Sequence, residues 1–548
     1  MKNLIEHQAE DVFLHHYRQF DAEGIKLTIL AMERLLSIHD LAQKHIQQIH
    51  DALLFLLAYP ANEQGFQLAN SCMQLLVQTV TKIVKNKPDV FYNSGITGSH
   101  VCAQFGLILN KILLDEKLET HELNGVDGDN SDLMGKLAYT LDDVEQELMP
   151  NETNTFNKWK KRYLPNIKDP RTLLDYYVNA TLKTTGSIAY QESLFAQFQL
   201  FTRFSLDPNL LGLSLGRAPI KSPYFHNNGI QKKSSLEEVF ALGKPIKITL
   251  NDKAKAHLVK VARGSMASLL RETDTFTYAN ENETELYNMG EGIQIALYYM
   301  IPEQKFSLQS YIGYLLFKNG LPMAYGGCWL FAHQAAFGVN VLPPYRGGES
   351  AKVVAQLLRV YHYRFNISQF TVDPYQIGKG NSDGIQSGAF WFYYKLGFRP
   401  MQNELAELAR TENEKMLTDR SYRSSSKILL KLANSDIYWQ TAGNTKAFIP
   451  LLPLSDSIGQ YVAKSFSGNR QTALEFVRKK AQKSAGIKIG SNSFLNRMLL
   501  FLEAAGAFEK LKTTDLQKVC AAYSQKDQQE AEAYLALQKV KDFWIILI

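Results

Sequence analysis

Apolar residues at Val353, Val354, Leu357, Leu358 and Tyr361 recur at spacings of three and four, the period of an amphipathic helix that begins near Ala351. Before it, residues 336–342 form an apolar run of strand length that stops at Pro343 and Pro344 and opens into Tyr345-Arg346-Gly347-Gly348-Glu349-Ser350. After it comes a second short apolar run, Gln369-Phe370-Thr371-Val372, ended by Asp373-Pro374. Residues 388–396 then read as a short apolar helix stopped at Gly397. The order strand, glycine turn, helix, strand predicts neighbouring parallel strands at 335–342 and 369–372, joined by a helical crossover at 350–365. A glycine turn that feeds a helix aims free backbone N–H groups and the positive end of the helix dipole at one point, which suits a phosphate.

The same periodicities divide the rest of the chain. Residues 25–114 read as helices, with faces such as Ile46, Ile49, Leu53, Leu56, Leu57 and Val101, Phe105, Ile108, Ile112. Further helices are expected around 133–148, 156–163, 171–182 and 191–204, and an acidic, turn-rich loop over 116–132. Residues 211–244, rich in Gly, Pro, Ser and Asn, read as a linker between a mainly helical region (1–210) and a mixed region (245–402). That mixed region predicts strands at 245–250, 292–300, 310–317 and 323–330, a helix from Asp252, and a hairpin turn at Lys318-Asn319-Gly320. From 403 to 548 the pattern is helical again. The expected fold class is therefore mixed, α+β or α/β, with a central mixed sheet between helical flanks.

The runs "NVLPPYRGGESAKVVAQLLR", "FTVDP" and "AFWFYYKLGFRP" together resemble the core of the GNAT superfamily of acetyl-coenzyme A-dependent N-acetyltransferases. The strong part of the resemblance covers about an eighth of the chain, and the strand count before the loop exceeds the family's by one. The resemblance implies a coenzyme A pyrophosphate held at Arg346, Gly347, Gly348, Ser350 and Ala351, beside the strand end Val341 and Leu342. It also implies a tyrosine near the thioester sulfur, placed by the match of Tyr393, Gly397 and Phe398 to the family's "Y-x-x-x-G-F". One position departs from the pattern: Glu349 stands where a second-half glycine is usual. Two like charges a few ångströms apart repel by about 1 kcal/mol even in water. Either Glu349 turns outward or the cofactor is held differently.

Composition narrows the function classes without choosing among them. The chain has 548 residues, 45% hydrophobic and 21% charged, and its net charge of +6 is no signature of nucleic-acid binding. No apolar run is long enough to cross a bilayer, and the N-terminal segment lacks the apolar core of a secretory signal, so the expectation is a cytoplasmic protein. Cys72, Cys102, Cys328 and Cys520 are too scattered for a metal site or a disulfide framework. No metal is expected. His39, His45 and His50 read as solvated helix-face histidines, and the basic run Arg478-Lys479-Lys480 as a solvated face, since no aromatics interleave it.

The expected chemistry is transfer of an acyl group from acetyl-CoA, or another acyl-CoA, to the amine of a small molecule, a peptide or a protein. Tyr393 is the candidate general acid for the leaving thiolate. Asp373 and Glu291 are the carboxylates best placed along the sequence to face the cleft and take the amine's proton. Cys328 has no base assigned to it and is a poor nucleophile candidate. The alternatives are aminoacyl or peptidyl transfer from charged tRNA on the same fold, or a non-catalytic scaffold with a degenerate core.

Overall fold

The computed structural model describes residues 6–37, 41–116, 120–127, 140–147, 161, 169–207, 212–231, 234–444, 446–449, 451–486, 488–489, 494–541 and 543–547. His39, the helix expected at 156–163 except for residue 161, and most of the one expected at 133–148 lie outside these residues. The fold is mixed α and β, in two units. The first comprises Met1–Gly229, Ala256–Tyr278 and Lys318–Pro322; the second comprises Ile230–Lys255, Ala279–Phe317 and Met323–Ile548.

In the first unit, helices Ala22–Ser37, Ile46–Ala58 and Glu63–Asn86 bury Met32, Leu35, Leu53, Leu57, Leu76 and Val80. Asn62 caps the last of these by accepting the Gly65 N–H at 2.8 Å. The expectation of helix throughout 25–114 fails at its end: β1 (His100–Gln104) is a strand, and helix resumes only at Leu107. β2 (Glu122–Val126) occupies part of the expected acidic loop, and β3 (Leu200–Ser205) replaces the last turns of the helix expected at 191–204. The three form an antiparallel sheet in the order β1-β3-β2. Pairing decides here what propensity does not, because Val101 and Phe204 sit opposite each other and are both fully buried. His50 is buried, with Nε2 2.9 Å from the Ser214 hydroxyl, and His45 is half-buried against Glu10. Neither is the solvated residue that the sequence suggests.

The second unit carries nearly all of a nine-stranded sheet: β4 (Ile246–Ile248), β5 (Glu285–Gly290), β6 (Ile293–Tyr298), β7 (Ser310–Lys318), β8 (Leu321–Phe331), β9 (Gln334–Val341), β10 (Gln369–Val372), β11 (Arg399–Pro400) and β12 (Ile437–Gln440). Their order is β11-β12-β10-β9-β8-β7-β6-β5-β4. β9 and β10 are parallel and joined through the helix Ser350–Phe365, whereas β8–β9 and β10–β12 are antiparallel. Asn319 (φ +48°) and Gly320 (φ +80°) make the expected tight turn between β7 and β8. The sequence reading missed β5, β11 and β12, which are short or lie in polar surroundings. Helices Leu452–Phe466, Arg470–Ala485, Phe494–Ala504, Thr513–Gln525 and Glu530–Gln538 gather the C-terminal residues around Val477, Phe494, Leu499, Leu502, Tyr523 and Phe543. Phe331, at the end of β8, belongs to that core and meets Trp544 at 4.9 Å.

Candidate functional site

β9 and β10 pair only at Gln334↔Gln369, Ala335↔Phe370 and Ala336↔Thr371. β9 then continues to Val341 with β8 as its partner, while β10 ends at Val372, so the parallel ladder stops at Ala336. Beyond that point β9 and β10 are no longer paired, and the Gly338 carbonyl accepts instead from the Tyr314 hydroxyl at 2.8 Å.

At the far end of β9 lies the glycine loop. Leu342 is buried and gives its N–H to Met323 O at 2.9 Å; Val341 O accepts from Arg346 Nε at 3.3 Å. The Arg346 N–H is used by Pro343 O and the Gly348 N–H by Tyr345 O. Gly347 has φ +79°, a conformation that a side chain would strain. The first bond of the following helix runs from Val353 N–H to Glu349 O at 2.9 Å. The amides of Ser350, Ala351 and Lys352 precede it, as the first turn of any helix requires.

Glu349 does not turn outward. It is 1% exposed, and its Oε1 lies 3.9 Å from Nζ of Lys352, itself nearly buried. The same ammonium is ion-paired with Glu291. Glu291 occupies the β5–β6 turn at φ +50°, between Gly290 and Gly292, so it joins the start of this helix as a partner of Lys352. The expectation that Glu291 serves as the base in the cleft therefore meets a carboxylate already committed to an ion pair. Lys352 escaped the sequence reading, although its position three residues after Glu349 is the spacing at which helical side chains meet.

Tyr393, on the helix Ala389–Lys395, is 3% exposed and sets its ring edge against Phe337 at 6.1 Å and Phe398 at 5.5 Å. Phe337 is the first residue of β9 past its last pairing with β10, so the Tyr393 ring lies at the end of the parallel ladder. The motif glycine has a geometric reason: Gly397 at φ +102° reverses the chain, and the Phe398 N–H returns to Tyr393 O at 3.1 Å. Burial, helped by the charge of Asp373, holds the Tyr393 phenol above its ordinary pKa, so it stays protonated at neutral pH.

Asp373 is exposed at the end of β10, where its Oδ1 accepts from the N–H groups of Tyr375 (2.8 Å) and Gln376 (3.3 Å). Asp436, just before β12, is an exposed residue whose carboxyl is partly covered; that partial desolvation, and then the charge of Asp373, push it above the ordinary carboxyl range, with Lys379 opposing. Nothing in the sequence separates Asp436 from other surface aspartates; the β10–β12 pairing alone brings it here. Cys328 lies fully buried beside Tyr361, and burial raises its thiol well above the usual value, the condition of an inert cysteine.

Among the described residues, no three His, Cys, Asp or Glu side chains are grouped to hold a metal ion, and no helix is long and apolar enough to cross a membrane. No family model matches the chain, and neither a curated protein nor a solved structure matches it.

Proposed function

We propose that the second unit is a GNAT-like acyl-coenzyme A-dependent N-acyltransferase. The observation that carries this reading is the end of the parallel β9–β10 ladder at Ala336, with a glycine loop and helix start beyond the end of β9 and Tyr393 beside Phe337. The pantetheine arm would run along β9 beyond its last pairing with β10. The pyrophosphate would meet the amides of Ser350 and Ala351 and the guanidinium of Arg346.

In the reaction, the amine lone pair attacks the thioester carbonyl, a C–N bond forms and the C–S bond breaks. The acceptor loses a proton to a carboxylate at the mouth, for which Asp373 is the candidate, and the departing thiolate gains one from Tyr393. A phenol kept protonated by burial suits the second role. Acceptor identity, coenzyme and site roles all belong to this proposal.

Glu349 favours a second reading, a binding protein on a core that no longer reacts, because its buried carboxylate adds negative charge beside the phosphate position. The Lys352 ammonium offsets that charge. Thermal denaturation of the full chain with and without acetyl-CoA decides between them: a rise in midpoint that disappears in Arg346→Ala supports the transferase, and no rise with any acyl-CoA supports the binding protein.

A further inference from the structure

Strand alternation sorts the side chains near the end of the β9–β10 ladder onto two faces. Phe337 and Phe370 approach ring to ring at 6.3 Å and share one face with Tyr393. Ala336, Gly338, Thr371 and Asp373 therefore project to the other. The pairings Gly327↔Gly338, Trp329↔Ala336 and Thr371↔Tyr438 carry that second face across β8 and β12. The β10–β12 register, run one residue past Val372↔Ile437, sets Asp373 opposite Asp436, and both are exposed.

The second face thus has an acidic end and, two strands away, an aromatic one. Tyr311 and Trp329, both partly exposed, stack at 4.1 Å with their planes 17° apart. Phe306, 39% exposed, meets Trp329 at 4.8 Å. Between the ends Gly327 and Gly338 face each other, and the neighbouring row adds the small side chains of Ala336 and Thr371. A Cβ on Gly327 would collide with the Tyr311 ring, and one on Gly338 would stand 3.1 Å from Nε2 of Gln376. The Tyr311 ring and the Gln376 side chain therefore lie over the two glycines, and because Gln376 shares its turn with Asp373 these side chains link the rings to the carboxylates.

Aromatic faces attract flat bodies and cations, and two facing carboxylates favour a cation between them. The geometry points to this strip as a site for a primary amine in its ammonium form: the nitrogen lies between Asp373 and Asp436, and a flat or aromatic body rests on Trp329, Tyr311 and Phe306. The two ends are separated by two to three strand spacings, about 10–15 Å, so the body reaches the rings through a chain of several carbons. Calling this amine the acceptor rests on the acyltransferase reading; the binding itself does not.

Calorimetry on the full chain without coenzyme tests it, with 4-phenylbutylammonium as probe and 4-phenylbutanol and benzylammonium as controls. The long ammonium should bind at least about tenfold more tightly than the alcohol, which lacks the charge, and more tightly than the short amine. Phe306→Ala and Asp436→Asn, both at exposed positions, should each weaken it by about three- to tenfold. Equal binding of the alcohol, or indifference to both substitutions, overturns the site. Acetyl-CoA binding is measured separately: amine binding without coenzyme binding leaves this site and removes the transferase reading, and the reverse result leaves that reading and removes this site.

Discussion

Glu349 and Lys352 stand 3.9 Å apart, both buried, one helical turn from each other at the start of Ser350–Phe365. Removing one partner of a buried charge pair costs more than removing both, because the survivor keeps its desolvation penalty. Lys352→Met should lower stability by about 2–4 kcal/mol, and the double change with Glu349→Gln should recover part of that loss. Urea denaturation of the four proteins measures the coupling.

The same pair bears on the coenzyme. Arg346→Ala should weaken acetyl-CoA by about 10-fold or more, through loss of a charge-assisted contact. Glu349→Gln removes a like charge beside the phosphate position, so affinity should be unchanged or higher. Titration calorimetry reads both; a weaker Glu349→Gln complex would assign that carboxylate a different role.

Tyr393→Phe keeps the ring contacts with Phe337 and Phe398 and removes only the hydroxyl. If the phenol protonates the leaving thiolate, turnover should fall by roughly 10²–10⁴-fold with little change in melting temperature. Because burial raises its pKa, the parent's rate should show no loss from phenol ionisation below about pH 10. Equal turnover in the variant would make Tyr393 a core aromatic.

Asp436 titrates above its ordinary range, so the folded state holds its proton more firmly than the unfolded chain does. That contribution to stability is full in acid, below the ordinary carboxyl value near 4, and is lost as pH rises through the raised folded value. Asp373→Asn keeps the turn's acceptor and removes the facing charge. It should stabilise the protein by a few tenths of a kcal/mol at neutral pH and by less near pH 3, as stability curves at the two pH values would show.

Lys526 gives its ammonium protons to Phe306 O (2.8 Å), Ser307 O (3.2 Å) and Gln309 O (2.8 Å), anchoring the loop that carries the Phe306 ring. Lys526→Met leaves those carbonyls without their donor and should cost about 2–4 kcal/mol. Faster proteolysis between residues 301 and 309 would report the loosened loop.

Several features are legible in the chain alone because they depend on near neighbours. The 3.6 period marks Ser350–Phe365, the Asn-Gly pair marks the β7–β8 turn, and Pro343-Pro344 followed by glycines marks the loop after β9. What the sequence does not determine is set by partners far along the chain. Val101 and Phe105 recur at helical spacing, yet Val101 pairs with Phe204 as a strand, since cross-strand burial outweighs a weak local preference. Whether Glu349 faces water or Lys352 is a matter of burial, and Glu291 reaches that lysine only because the β5–β6 turn is folded against the helix start. Asp373 and Asp436 meet solely through the register of β10 with β12. Local spacing fixed the elements; only the packing of distant segments decided which charges and rings stand together, because those contacts leave no period in the chain.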